Sequence, residues 1–209
     1  SLEWDRWADG WLAKAPGTSM WCFGSMRMFM ERAQEFAEAG WQQSHDIVWE
    51  KHNGSGFHND RFRRVHEHAI HFYRGAWADV YREPQYTPTA AKKTVRSKRR
   101  PTQFGEANSV RSYRTEDGGP QLATSVIFAA SMHGTALHPT EKPVAILLPL
   151  IRYGCPAEGT VLDMFAGSGA TLVAARMAGR RAIGFEVNEV YAERAARRLS
   201  QGELFGETA

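Results

Sequence analysis

A short segment near the carboxyl end constrains the fold more than any other part of this chain. Val161 and Leu162 are apolar and are typical of a buried strand, and the turn at 165–169 contains two glycines. Residues 171–178 then favour a helix. Glycine lets the backbone approach another group closely, because it lacks the Cβ that would stand in the way. This order of strand, glycine turn and helix predicts an α/β sheet with a ligand at the turn.

The next predicted strand, at 181–185, ends in a carboxylate. Glu186 stands seventeen residues past Gly169, a spacing at which an acidic side chain takes two ribose hydroxyls. Leu172 occupies the position of the third glycine in a dinucleotide fingerprint, and no lysine follows the turn as in a phosphate-binding loop. A cofactor with a ribose and no phosphates fits these residues better, and S-adenosylmethionine is the common one.

Strands and helices alternate over much of the remaining sequence, which predicts a doubly wound α/β sheet. We predict strands at 19–24, 43–50, 64–73 and 123–129, helices at 26–39, 143–153 and 189–199, and a loop at 51–61. Residues 75–119 are polar and basic without clear periodicity, so we expect an irregular insertion there.

Positive charge is concentrated in the middle of the chain. Residues 58–120 hold thirteen Lys and Arg against seven Asp and Glu, whereas 121–209 hold eight of each. Six cations fall within nine residues, namely Lys92, Lys93, Arg96, Lys98, Arg99 and Arg100. Such a block is typical of a flexible segment that orders on a polyanion, and double-stranded DNA is the obvious partner. We assign Arg61 and Arg63 to the same DNA-binding surface. A solvated surface loop is the alternative.

The carboxyl-terminal half carries several motifs in a fixed order. The sequence reads His138-Pro139-Thr140-Glu141-Lys142-Pro143, then Val-Leu-Asp-Met-Phe-Ala-Gly-Ser-Gly at 161–169, then Ile-Gly-Phe-Glu at 183–186. In these motifs the chain resembles the bacterial and phage amino-group DNA methyltransferases, which methylate adenine N6 or cytosine N4. It is similar to the permuted branch, in which target recognition precedes the cofactor site. Met164 replaces the family's usual proline, and residues 47–51 and 65–70 resemble its upstream strands more loosely.

The resemblance implies a fold, a cofactor and a site. The fold would be a circularly permuted, Rossmann-like sheet that binds S-adenosylmethionine. A single domain would comprise substrate-side elements at 1–74, a target-recognition region at 75–135 and a cofactor-binding half at 136–209. The turn would hold the methionine end of the cofactor, Glu186 its ribose, and Lys142 with Pro143 the pocket rim. The implied cofactor-binding residues are His138, Thr140, Lys142, Pro143, Asp163, Phe165, Ala166, Gly167, Ser168, Gly169 and Glu186.

One motif of that family is missing from the sequence. Members carry out the transfer with a loop that reads Asp/Asn/Ser-Pro-Pro-aromatic, and this chain contains no Pro-Pro pair. In the permuted order the loop precedes a segment like residues 3–7, so we expect it upstream of Ser1 in a truncated chain. A chain naturally without the loop is the alternative. No catalytic residue is therefore assigned.

Three functions remain open at this point. The first is site-specific DNA methylation, at adenine N6 in preference to cytosine N4. The second is a non-catalytic subunit that binds nucleic acid and assists an active partner. The third is a small-molecule methyltransferase, which the cationic block disfavours.

Composition adds expectations about environment. Cys22 and Cys155 lie far apart, which points to a reducing cytosol, and no apolar run approaches the length of a membrane span. We therefore expect a cytoplasmic protein. His66, His68 and His71 lack the spacing of a helical zinc site, so no metal is expected. Members of the branch often form dimers, and a homodimer stays open.

Overall fold

The computed structural model of the chain describes residues 17–55, 59–87, 118–132, 134 and 136–201, with the backbone of four short strands between 93 and 115. The chain divides into two compact units. The first contains the described residues up to Glu83 and from Ser125 onward, and the second contains those within Pro84–Thr124. Every helix in the described part is too short or too polar to cross a lipid bilayer. The strands are β1 (Ser19–Gly24), β2 (Gln42–Ser55), β3 (Arg64–Tyr73), β4 (Tyr86–Thr87), β5 (Lys93–Arg96), β6 (Pro101–Thr102), β7 (Gly105–Glu106), β8 (Ser112–Thr115), β9 (Gln121–Leu122), β10 (Val126–Phe128), β11 (Thr160–Asp163) and β12 (Arg181–Gly184). The helices are α1 (Met26–Glu38), α2 (Val144–Gly154), α3 (Ala170–Met177) and α4 (Glu189–Ser200).

The larger sheet of the first unit has the order β1-β3-β2-β10. Strand β3 is antiparallel to both β1 and β2, and β10 is parallel to β2. The predicted bounds of β1 and β3 are confirmed. The predicted loop at 51–61 is wrong over its first part, because β2 continues to Ser55. Its pairing with β3 resumes at Ser55 and Arg64 after an irregularity that begins at Glu50, and this pairing keeps the segment extended.

The second sheet of this unit consists of β11 and β12. The two strands are parallel and paired from Thr160 with Arg181 to Asp163 with Gly184. Helix α3 follows the glycine turn and contacts both strands, α2 and α4. The predicted sequence of strand, turn, helix, strand and helix is therefore confirmed, with bounds shifted by one or two residues.

Helices cover both faces of the larger sheet. Successive side chains of a strand point to opposite faces, and β3 shows this at Ala69 and Ile70. Ala69 belongs to a core with Trp49 on β2 and Ile146 on α2, whereas Ile70 belongs to a core with Phe29 on α1. Burial of these apolar side chains on both faces is what the doubly wound α/β class requires, and that fold class is confirmed.

The two helices that flank the sheet begin differently. Ser25 caps α1 by accepting a hydrogen bond from the Met28 amide at 3.2 Å, and Gly40 follows the helix with φ +78°. Pro143, predicted as the first residue of α2, lies just before the helix as its N-cap, with φ −66° and ψ 142°. The proline ring fixes φ near the helical value but leaves ψ free, so Pro143 can precede a helix without joining it.

The second unit corrects the expectation of an irregular insertion. Its strands form three antiparallel pairs that are nested along the sequence. The pair of β6 and β7 is innermost, β5 and β8 enclose it, and β4 and β9 enclose both. Each strand has only two to four residues. Alternation of apolar and polar residues needs about four to eight residues to be recognised, so strands this short leave no periodic signal.

Candidate functional site

The glycine turn connects the end of β11 to the start of α3. The Phe165 amide donates to Asp163 Oδ1 at 2.9 Å, and the Gly169 amide donates to the Ala166 carbonyl at 2.7 Å. Gly167 and Gly169 have φ of +51° and +78°, in the left-handed region that other L-residues seldom adopt. The backbone path of this turn therefore depends on glycine at both positions.

The two glycines have different surroundings. A Cβ on Gly167 would lie 3.1 Å from His138 Cγ, whereas a Cβ on Gly169 would lie 3.0 Å from the Ala195 Cβ on α4. Gly169 thus allows α4 to pack closely on the turn. Gly167 allows the backbone to approach the segment that carries His138.

Glu186 lies just beyond β12 and its carboxylate turns back towards the glycine turn. One oxygen, Oε2, accepts the Gly167 amide at 2.8 Å, and the other, Oε1, accepts the Asn188 amide at 2.9 Å. Each carboxylate oxygen has lone pairs beyond the one used by its amide. Two backbone donors therefore fix the orientation of Glu186 and leave it able to accept further hydrogen bonds.

His138 lies between the glycine turn and α4. Its ring meets Tyr191 edge-on at a centroid distance of 4.4 Å and faces the backbone of Gly167. The Thr140 hydroxyl lies 3.1 Å from His138 Nδ1. These contacts place His138 beside two other residues of the predicted site, Thr140 and Gly167.

Glu141 was missed by the sequence reasoning, although it lies inside the motif at 138–143. Its side chain is 1% exposed, and it accepts hydrogen bonds from Ser168 Oγ and the Leu137 amide through Oε2, and from Arg198 Nη1 through Oε1, each at 2.8 Å. Burial by itself raises the pKa of Glu141, but the hydrogen bonds and the Arg198 charge outweigh it and lower the pKa below its usual range. The sequence holds no local signal for this role, because Arg198 stands 57 positions away.

Lys142 connects the same segment to the larger sheet. Its Nζ lies 3.1 Å from Glu67 Oε2 on β3, and Lys51 on β2 pairs with the other oxygen of Glu67. Burial alone raises the pKa of Glu67, but the hydrogen bonds and charges of the two lysines lower it below its usual range. The Lys51 ammonium also lies 4.5 Å from the ring centroid of Trp49. Lys142 is therefore held by Glu67, on an inner strand of the larger sheet.

The other predicted cofactor residues differ in exposure. Pro143, Ala166 and Ser168 are buried, whereas Phe165 is 53% exposed. The buried residues can shape the site through packing, and the Phe165 ring is open to solvent.

The predicted DNA-binding residues are only partly described. Arg61 is exposed and paired with Asp60, and Arg63 is exposed with its side chain lying close to Gly54 of β2. The backbone of Lys93 and Arg96 forms part of β5. The remaining predicted contacts, Lys92, Lys98, Arg99 and Arg100, lie outside the described residues. Within the described part of the chain, no group of three His, Cys, Asp or Glu residues could hold a metal ion.

Solved structures of DNA methyltransferases share this fold. M1.HpyAVI in complex with SAM superposes with a TM-score of 0.60 at 22% identity, over 88% of this chain and 75% of that one. The PvuII DNA methyltransferase (cytosine-N4-specific) superposes with a TM-score of 0.59 at 15% identity, over 88% of this chain and 64% of that one.

Sequence comparison identifies closer relatives over shorter segments. YubD of Escherichia coli (strain K12), which is named a methylase, is 44% identical over 81 residues, or 39% of this chain and 36% of YubD. The type II methyltransferase M.ScaI of Streptomyces caespitosus is 40% identical over 76 residues, or 36% of this chain and 25% of M.ScaI. The chain thus matches about a third or less of the length of these relatives. The family model N6_N4_Mtase, which describes a DNA methylase, matches residues 1–197. With nearly its whole length matched, the chain belongs to the N6/N4 DNA methylase family.

Proposed function

We propose that the chain binds S-adenosylmethionine and DNA and transfers the methyl group to the exocyclic amino group of a flipped base, adenine N6 in preference to cytosine N4. The observation that carries the proposal is the pairing of Gly167 with Glu186. A glycine with positive φ faces a carboxylate that two backbone amides already orient. Membership of the N6/N4 DNA methylase family supports the same chemistry.

The residues of the turn fit a cofactor that has a ribose and no phosphates. Glu186 keeps one free accepting direction on each oxygen, which suits the two neighbouring hydroxyls of a ribose. Leu172 stands where a dinucleotide-binding turn has its third glycine, and no lysine follows the turn as in a phosphate-binding loop. The relative M1.HpyAVI has been solved with SAM, which supports this choice of cofactor.

Each part of the site has a role in binding. The small residues of the turn receive the methionine end of the cofactor, and Glu186 accepts the ribose hydroxyls. Lys142 and Pro143 form the rim of the pocket, where Glu67 holds the lysine in place. When bound, S-adenosylmethionine supplies an electrophilic methyl group on its sulfonium. The chain contributes by fixing the orientation of its ligands, since alignment of reacting groups lowers the barrier.

The proposed substrate places demands on the rest of the molecule. An exocyclic amino group is a weak nucleophile, because its lone pair is delocalised into the ring. The base must leave the duplex stack, which costs a few kcal/mol. Contacts of the cationic block at 92–100 with DNA phosphates would offset part of that cost. Adenine is favoured as the commoner target in the permuted branch.

The test measures binding and transfer separately. Titration calorimetry of the chain with S-adenosylmethionine is expected to give saturable binding that Glu186→Ala weakens, because the ribose loses its acceptor. The chain, and a version extended upstream of Ser1, are incubated with labelled S-adenosylmethionine and unmethylated DNA, and the nucleosides are identified by mass spectrometry. The extended version is expected to yield N6-methyladenine, because the chain itself contains no Pro-Pro pair.

Each other outcome has a definite meaning. A yield of N4-methylcytosine would uphold the proposed methyl transfer and change the target base from adenine to cytosine. Binding of cofactor and DNA without transfer by either version would favour the non-catalytic subunit. Retention of full cofactor affinity by both Glu186→Ala and Gly167→Val would overturn the proposed cofactor site.

A further inference from the structure

Glu141 is the most completely bonded acidic side chain near the glycine turn. Three donors at 2.8 Å satisfy it, and its side chain is 1% exposed. Its neighbours in the motif, Thr140 on one side and Lys142 on the other, are more accessible. The burial of a charged side chain in the middle of an accessible segment calls for a physical reason, because a carboxylate without donors is very costly to remove from water.

The three donors come from three different parts of the fold. The Leu137 amide belongs to the segment that carries His138, Ser168 to the glycine turn, and Arg198 to α4. Arg198 also approaches the Ser168 carbonyl at 3.4 Å. Glu141 is thus the point at which these three elements are joined.

A second contact holds the same segment on its other side. Arg194, one turn before Arg198 on α4, donates to the Leu137 carbonyl at 3.1 Å. Glu141 therefore holds the peptide group before Leu137, and Arg194 holds the peptide group after it. His138, the next residue, has little freedom to move away from Gly167 and Tyr191.

The energetics favour a role in geometry over a role in stability. A buried ion pair gains little net stability, because the cost of desolvating both charges offsets their attraction. Loss of one partner leaves the other charge buried without compensation. Such a pair is therefore better suited to fixing the relative position of its elements than to raising the stability of the fold.

From these contacts we infer that Glu141 is a positioning residue for the cofactor: together with Ser168 and Arg198 it holds the His138 segment against the glycine turn, so that this wall of the pocket is formed before the cofactor arrives. The inference rests on the proposed cofactor site. A preformed wall raises affinity because its ordering cost is already met in the free protein. His138 touches the pocket, and Glu141 acts through it.

The first measurement is the dissociation constant for S-adenosylmethionine, determined by titration calorimetry. It compares the wild-type chain with Glu141→Ala and with a matched control, each shown to be folded by circular dichroism. The control is Glu193→Gln, which removes an exposed carboxylate paired with Arg197 on the same helix. We expect Glu141→Ala to bind about tenfold more weakly, equal to about 1.4 kcal/mol. Glu193→Gln should bind like the wild type.

A double-mutant cycle separates positioning from general loss of structure. If Glu141 acts through the His138 segment, then Glu141→Ala should cause little further loss of affinity once His138→Ala is present. Independent losses that add would contradict positioning through His138. A rescue variant gives a second measurement. Glu141→Gln places an amide group against Arg198, and adding Arg198→Leu should recover part of the affinity.

The outcomes distinguish this inference from the proposed function. If the wild-type chain binds S-adenosylmethionine and Glu141→Ala binds equally well, the positioning role is overturned and the cofactor site stands. If the wild-type chain shows no binding, both are overturned. Weak binding by Glu141→Ala that is non-additive with His138→Ala supports the inference.

Discussion

Gly167 and Gly179 have similar backbone conformations and different neighbours. Their φ angles are +51° and +69°, but a Cβ on Gly167 would lie 3.1 Å from the His138 ring, and one on Gly179 would meet nothing within 4 Å. Replacement by alanine at either position should lower the free energy of unfolding by about 1 kcal/mol through backbone strain. Only Gly167→Ala should also weaken binding of S-adenosylmethionine, because it alone displaces His138. Urea unfolding and calorimetry measure the two effects, and equal affinity in the two variants would contradict the assigned role of Gly167.

His71 predicts a pH dependence of stability. It is fully buried on β3, its Nδ1 lies 2.7 Å from Ser44 Oγ, and the rings of Trp21 and Tyr153 pack around it at 4.8 and 5.4 Å. Burial, together with the charge of His45, lowers the pKa of His71 to about 4. An unfolded imidazole takes up its proton near pH 6.5, so between these values the unfolded chain binds more protons than the folded chain. The stability that neutral His71 contributes is therefore fully present above about pH 6.5 and is lost as the pH falls towards about 4.

The corresponding experiment compares the wild type with His71→Gln by urea unfolding at two pH values. Between about pH 7.5 and pH 5 the wild type should lose about 2 kcal/mol more of its free energy of unfolding than the variant. The comparison cancels the contribution of other titrating groups. An identical loss in both proteins would mean that His71 accepts a proton readily in the folded state.

Among the helices, α4 connects stability to the site most directly. The Asn188 side chain caps it by accepting hydrogen bonds from the backbone amides of Val190 and Tyr191 at 3.0 and 3.4 Å, while the Asn188 backbone amide donates to Glu186. Asn188→Ala should cost about 1 kcal/mol of stability through loss of the cap. We also expect weaker binding of S-adenosylmethionine, because Tyr191 supports His138.

Asn188→Ser is the matched control for that prediction. A serine keeps the capping acceptor and adds no charge beside Glu186. Its stability and its affinity for S-adenosylmethionine should therefore stay close to the wild-type values. If Asn188→Ala changes stability and leaves affinity untouched, α4 does not support the pocket in the way inferred from the Tyr191 contact.

At the scale of the whole molecule, the proposed DNA contact depends on charge that the cationic block at 92–100 contributes. Replacement of Arg99 and Arg100 by alanine should reduce the slope of log affinity against log salt by up to about 2, since each phosphate contact contributes about 0.9. A matched control replaces Arg27 and Arg32, which are paired with glutamates on α1. The slope is measured by fluorescence anisotropy with labelled duplex DNA. A similar decrease in both variants would indicate a nonspecific effect of net charge.

Prediction from the sequence was most accurate where a segment's own residues decide its structure. The apolar strand before the turn, the paired glycines and the helix-favouring residues after them lie next to one another, and the structure has them as β11, the turn and α3. The bounds of β1 and β3 were predicted for the same reason. The nested strands at 86–122 were not, because they are too short to show a periodic pattern.

The sequence by itself determined the class of the fold and the order of the turn, Glu186 and the surrounding motifs, since these follow from residue types and spacings along the chain. The tertiary structure alone decided which residues meet at the turn. Ser168 and Arg198 reach Glu141 from 27 and 57 positions away, and Lys142 meets Glu67 on the larger sheet. Such contacts depend on how α4 packs on α3 and how the 138–143 segment crosses the turn, and this packing arises from many side chains acting together.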